Sequence, residues 1–338
     1  MIKPNKLLAM MLTTLLVAGS ATAADSGAKK KRILLVTTSV GFRHPSVPYA
    51  EKALRDIAAQ SGQFEIISTS DSPDFPVYPA PQEFELAGRA DAGPDMSAMG
   101  MGAGPPGAPP GAAPNAGGPP MAGMGQGAGS DETTEKVRKV LAQYMSVKAL
   151  KTYDAVFFVV TNGELPLPDA QGFLDWVKAG GGYMGSHSAT DSLHGLPGYI
   201  EMVGAEFDHH GKQEILKLTN DDSKNVLTKG YTQGLVVDDE WYLFKSGYDR
   251  KKVHSLVSMT EHPNDKTAGH YPVSWCKSYG KGRVFYTSQG HRLDIWDANW
   301  VGNDGQRTNS KEAVAAFRSQ MLEAMRWTTG LTKASCEP

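Results

Sequence analysis

The chain has 338 residues, a formal net charge of −2, 21% charged residues and two cysteines. Such a balance offers no long-range attraction to nucleic acid or to an anionic membrane, and two cysteines cannot build a disulfide scaffold. The length suits one sizeable core rather than a string of small domains.

Lys3 and Lys6 precede an apolar run at residues 7–18, and Ala21-Thr22-Ala23 supplies the small residues after which a signal peptidase cuts. The run is short of the roughly 20 residues a membrane span needs. Residues 1–23 are therefore expected to be a signal peptide, giving an exported (periplasmic or secreted) protein with no stable membrane anchor after cleavage. Residues 24–31 read as a flexible N-terminus, 32–330 as a single domain, and 331–338 as a C-terminal tail.

An apolar run at 33–38 predicts a strand covered on both faces. Val47, Ala50, Leu54, Ile57 and Ala58 follow at helical spacing, and 64–69 reads as the next strand. Residues 91–130 then hold 12 Gly, 8 Pro and two charged residues, so a disordered insertion is expected over 87–130. Its methionines suggest soft-metal capture, although composition alone explains them and no His or Cys accompanies them.

Beyond the insertion, Val137, Leu141 and Tyr144 mark a helix face, and 154–161 is a second buried strand. A helix opened by Pro168 carries Phe173, Leu174 and Val177, ends at Gly180-Gly181-Gly182, and leads into a strand at 183–187. Strand, helix and strand joined by short loops imply parallel pairing and a right-handed crossover. Further strands are expected at 214–218, 255–259, 271–276 and 283–288, with a closing helix over 311–328. The fold class predicted is α/β: an open, mostly parallel sheet with helices on both faces. Cys276 and Cys336 either form one bridge pinning the tail or remain two thiols.

Open parallel sheets bind ligands beyond the carboxyl ends of their strands. Three predicted strands end there in histidines: His44 within Phe42-Arg43-His44, His187 within Gly185-Ser186-His187, and His291 after Gln289-Gly290. Phe207-Asp208-His209-His210 adds imidazoles and a carboxylate, and Asp238-Asp239-Glu240 precedes Trp241 and Tyr242. Imidazoles with a carboxylate suit zinc or a similar divalent ion. His44, His187, His209, Glu240 and His291 are the candidate ligands; His187, Glu240 and His291 are the candidate catalytic groups. Arg43, Trp241 and Tyr242 are candidates for substrate binding, the tryptophan equally a core residue. The competing reading is that these histidines hydrogen-bond loops or line a metal-free pocket. His194, His254, His262 and His270 lack convergent partners in sequence and read as surface or structural.

Taken in order, Phe42-Arg43-His44, the run at 180–187, Gly204-Ala205-Glu206-Phe207 with His209, Asp239-Glu240 with Tyr242, Pro272-Val273-Ser274-Trp275, and the run at 280–291 resemble the signatures of the ThuA-like (trehalose utilisation) family. The resemblance implies a flavodoxin-like fold of the class I glutamine amidotransferase type. It also implies a connection with sugar metabolism, including 3-keto-glycosides, and a carbohydrate or keto-sugar ligand handled by hydrolysis, elimination or isomerisation. No nucleotide cofactor is expected. A non-catalytic carbohydrate-binding module is the alternative. An amidotransferase ranks third, because histidine stands at the turn where the cysteine nucleophile would be. Ser186 or Ser188 could serve a serine hydrolase, but the turn lacks the second glycine of a Gly-x-Ser-x-Gly elbow.

Overall fold

The computed structural model describes residues 29–78, 130–245, 247–302 and 305–338. The expected signal peptide, most of the N-terminal segment 24–31 and all but the last residue of the 87–130 insertion lie outside the described residues.

In chain order the first strands are β1 (Lys31–Val36), β2 (Phe64–Ser68), β3 (Ala155–Val159), β4 (Gly182–Ser186), β5 (Phe207–His210) and β6 (Glu214–Asn220). They are followed by β7 (Leu235–Asp239), β8 (Tyr242–Phe244), β9 (His254–Glu261), β10 (Ala268–Tyr279) and β11 (Gly282–Thr287). The helices are α1 (Val47–Ser61), α2 (Asp131–Tyr144), α3 (Val147–Leu150), α4 (Ala170–Lys178), α5 (Pro197–Val203), α6 (Leu293–Trp296) and α7 (Lys311–Thr328).

One sheet runs β2-β1-β3-β4-β11-β10-β9-β6-β7, and β5 pairs with β8 in a separate ribbon. From β2 to β11 every pairing is parallel, as the strand–helix–strand spacing predicts. Beyond β11 the pairings turn antiparallel. The change is local in origin. Only Gly280 and Lys281 separate β10 from β11, too few for a crossover, and Gly280 adopts φ 61° to make the reversal.

Alternation along β1 shows why its apolar run is continuous. Ile33 and Leu35 join a core shared with α1 and α7, while Leu34 and Val36 join one shared with α2, α4 and α5. Both faces are thus dry, and the domain has three layers. The helices start where their caps dictate. Ser130, Asp169 and Ser310 accept hydrogen bonds from the backbone N–H groups of Thr133, Gly172 and Ala313. Among the described residues, no helix is long and apolar enough to cross a membrane.

The tail is pinned. Cys276 and Cys336 form a disulfide, and Asn225 and His254 add hydrogen bonds to the carbonyls of Ser335 and Glu337. The bridge closes a loop of 60 residues, for which chain entropy gives about 4 kcal/mol. Denaturant unfolding of Cys336→Ser should therefore show a loss of roughly 2–4 kcal/mol. An unchanged midpoint and slope would refute that role.

His194 is structural, but not a bystander. Its Nε2 meets Asp191 Oδ1 at 2.8 Å and its Nδ1 meets Glu206 Oε1 at 2.7 Å. The hydrogen bond to Asp191, aided by that to Glu206, outweighs partial burial and raises its pKa to about 9. Because the folded value lies above the unfolded one, this contribution to stability is complete below about pH 6.5 and is lost as pH rises through about 9. An NMR titration should find the His194 imidazole losing its proton near 9; titration near 6.5 would contradict the bridged geometry.

Candidate metal centre

The site forms where the chain reverses its direction of winding. From β1 it passes to β2 on one side and then returns to β3 on the other, the switch point at which open sheets bind ligands. His44 lies on the loop after β1, His187 follows β4 directly, and His291 follows β11. All three predicted histidines converge.

Two neighbouring strand ends are strained. Val160, just past β3, has φ 50°, and His187 has φ 47°. Positive φ at a β-branched residue is a genuine outlier, of the kind that persists only when the surroundings over-determine it. Here they do. Val160 N–H donates to Ser186 Oγ (3.2 Å), and the carbonyl of His187 accepts from Tyr286 Oη (2.6 Å). The turn thus resembles a nucleophile elbow in placement, but it presents an imidazole. Both cysteines of the chain are in the disulfide, so no thiol nucleophile exists.

Glu240 arrives from the far edge of the sheet. The last two residues of β6 pair with β9, whereas its first five pair with β7, so the β6–β7 hairpin leaves the sheet plane. Asp239 fastens its end. Buried completely, this carboxylate accepts the backbone N–H groups of Glu240 (2.9 Å), Gly290 (2.8 Å), His291 (3.1 Å) and Arg292 (3.2 Å). One side chain therefore fixes Glu240 and His291 relative to each other.

One ligand atom each from His44, His187, Glu240 and His291 lies within 4.8 Å of the others. Three of these atoms form a near-equilateral triangle. His187 Nε2 is 3.4 Å from Glu240 Oε2, His291 Nδ1 is 3.3 Å from the same oxygen, and the two nitrogens are 3.3 Å apart. Ligand bonds of about 2.0–2.1 Å in tetrahedral array give edges of about 3.3–3.4 Å, so the triangle matches one face of a zinc-type site.

Proton placement supports the same fit. His187 Nδ1 lies 2.9 Å from the carbonyl of Ser288, which can only accept, so Nδ1 carries the hydrogen. In the neutral ring Nε2 then presents a lone pair to Glu240 Oε2, itself an acceptor. Two acceptors at this distance repel unless a proton or cation lies between them, and a histidine that ligates a metal usually donates its other ring N–H to a carbonyl or carboxylate in this way.

The electrostatics separate the members of the group. Burial, with His187 and His291 alongside, pushes the His44 pKa well below its ordinary value, so this ring is neutral near pH 7. Burial opposes charge on His291 too, but Glu240 and Asp239 outweigh it and raise its pKa. Burial likewise opposes ionisation of Glu240; His291, His210 and His187 overcome it and hold the carboxyl well below the usual range. His44, His187 and Glu240 are buried, leaving His291 as the partly exposed member.

Several predicted residues fall elsewhere. His209 does not join the converging ligands; its Nδ1 meets Asp208 Oδ2 at 2.8 Å. The neighbouring His210 reaches the centre instead, placing Nδ1 3.3 Å from Glu240 Oε1. The strand's alternation decides which of the adjacent histidines faces inward. Trp241 is core rather than sugar-facing surface, 1% exposed with Nε1–H donating to the carbonyl of Glu214. Arg43 is occupied: it donates to the carbonyl of Thr37 and lies 4.0 Å from the Tyr78 ring centroid. Tyr242 is buried as well, its ring 4.2 Å from that of His187, which it packs into place. Of the serines, Ser186 is taken up by the Val160 N–H, and Ser188 Oγ sits 3.3 Å from His44 Nδ1. Asp239 was legible as a member of the acidic run Asp238-Asp239-Glu240 and of the family signature, but not as the residue that positions the site.

Comparison with known proteins agrees with this architecture. A ThuA-like protein from Parabacteroides merdae ATCC 43184 superposes with a TM-score of 0.53 at 16% identity, covering 91% of this chain and 92% of that one. At such identity the likeness speaks for the fold alone. A protein from Salmonella typhimurium LT2, described as cytoplasmic, gives a TM-score of 0.42 at 13% identity over 86% of this chain and 98% of its own. No curated protein sequence matches the chain significantly. The family model described as "ThuA: Trehalose utilisation" matches residues 119–303, more than half of the sequence, and the chain belongs to the ThuA family.

Proposed function

We propose that this ThuA-family chain is an exported protein that acts on a carbohydrate or keto-sugar derivative through a divalent cation held by His187, Glu240 and His291. The observation carrying the reading is the triangle of ligand atoms with edges of 3.3–3.4 Å, formed by two imidazole nitrogens and a carboxylate oxygen. Two imidazoles and a carboxylate suit zinc and leave a fourth position for water or a ligand. Such an ion supplies Lewis acidity, polarising a sugar oxygen or carbonyl and acidifying water.

The protein's own groups do the rest. His44, kept neutral by burial, offers a ring nitrogen as the fourth ligand or as a hydrogen-bond partner for a substrate hydroxyl. His210 and Asp239 hold Glu240 from either side, and the carbonyl of Ser288 fixes the His187 ring. The partly exposed His291 marks the side from which substrate approaches.

The carbohydrate assignment rests on the family description, and the reaction type is left among hydrolysis, elimination and isomerisation. Export is supported by the signal-like N-terminal sequence and by the Cys276–Cys336 bridge, since disulfides persist in oxidising compartments. A carbohydrate-binding module that turns nothing over is the second reading, favoured by the depth at which three of the four clustered residues lie.

Metal analysis of the mature protein should find about one zinc-type ion per chain. Removing a residue that merely orients a ligand typically weakens metal affinity 10–100-fold, so His187→Ala should lose at least about 100-fold. Turnover of a 3-keto-glucoside should fall with chelator and return with metal. Metal-free protein that remains active rejects the centre; saturable sugar binding without product, indifferent to chelator, establishes the binding module.

A further inference from the structure

Among the described residues, Phe42 is the aromatic one of the exposed large apolar side chains, 37% accessible, and its ring stands edge-on to His44 with centroids 4.8 Å apart. Tyr242 and Trp241, the aromatic residues the sequence points to, are buried. An accessible ring therefore borders the centre at a position otherwise built from imidazoles and a carboxylate.

The backbone that carries the ring is also held in place. Asn162 accepts the N–H groups of Val40 (3.0 Å) and Gly41 (3.3 Å) on its carbonyl and that of Phe42 (2.8 Å) on Oδ1. Asn162 Nδ2 donates in turn to Asp191, the partner of His194. Contact is so close that a Cβ on Gly41 would fall 1.7 Å from Asn162 Oδ1. Fixing an aromatic ring where water reaches it brings no gain in burial, whereas a pre-positioned platform lowers the ordering required of a bound partner.

The two loops that carry His44 and His291 also bear buried polar atoms without hydrogen-bond partners: Thr38 Oγ1, Ser39 Oγ and Ser46 Oγ on the first, Ser288 Oγ and Gln289 Nε2 on the second.

We propose that Phe42 is the stacking platform for the ring of a pyranose-form sugar, setting preference for cyclic over open-chain ligands. The inference rests on the carbohydrate part of the proposed function and not on the metal. The apolar C–H face lies on Phe42, and the ring oxygens turn toward the hydroxyl-bearing loops and the histidines. The role is specificity, not proton transfer.

Calorimetric titration of the mature chain with methyl α-D-glucopyranoside and with sorbitol tests it, using wild type, Phe42→Ala and Phe42→Trp, with metal content measured on each. Wild type should favour the pyranoside. Phe42→Ala should weaken pyranoside binding by about tenfold or more while leaving sorbitol unchanged, and Phe42→Trp should restore it. Equal pyranoside affinity in wild type and Phe42→Ala, equal losses for both ligands, or no pyranoside binding by wild type overturns the platform. Pyranoside binding that depends on Phe42 in metal-free preparations as well supports the platform, while activity of metal-free protein is what rejects the metal centre.

Discussion

The geometry of the centre depends on one buried carboxylate. Asp239 receives four backbone N–H groups, one from its own strand end and three from the loop after β11. The β6–β7 hairpin pairs with the sheet through only two residues of β6; its core side chains and the Asn309 bonds to Asp238 hold its body, and Asp239 ties its end to the loop after β11. Glu240 and His291 are neighbours because the backbone on both sides shares this acceptor. These hydrogen bonds join the end of the hairpin to the loop after β11, where no strand pairing connects the two.

The parallel half contributes a different kind of order. Strand ends β3 and β4 carry residues at positive φ side by side, tied together through Ser186 and Tyr286. The same backbone device that elsewhere exposes a nucleophile here aims an imidazole whose other nitrogen is committed to the carbonyl of Ser288. The chemistry open to the fold thus shifts from covalent attack toward holding a cation or moving a proton.

Much of this was legible in the sequence, and the limits have physical causes. The parallel strands were readable because both faces are dry, leaving continuous apolar runs. The closing helix was readable because Val314, Phe317, Met321 and Met325 recur at helical spacing and all pack inward. His44, His187 and His291 could be grouped because each lies in the segment that follows such a strand. The ribbon β5–β8 escaped notice: short, half-polar strands give no period. Choosing between His209 and His210 requires the facing of that ribbon, which bulges between Phe207 and His209. Trp241 was misplaced for a related reason, since an aromatic beside acids reads as surface until the hairpin is known to fold over it.

The fastening of the last residues has a practical corollary. A copy of this chain made in a reducing cytosol would keep the histidine cluster, which contains neither cysteine, and would hold Cys276 as a buried thiol on β10. Residues 331–338, however, would then be retained only by contacts such as those of Asn225 and His254, within reach of carboxypeptidases. Batches from two cellular compartments would differ in mass at one end before they differed in anything near the imidazoles.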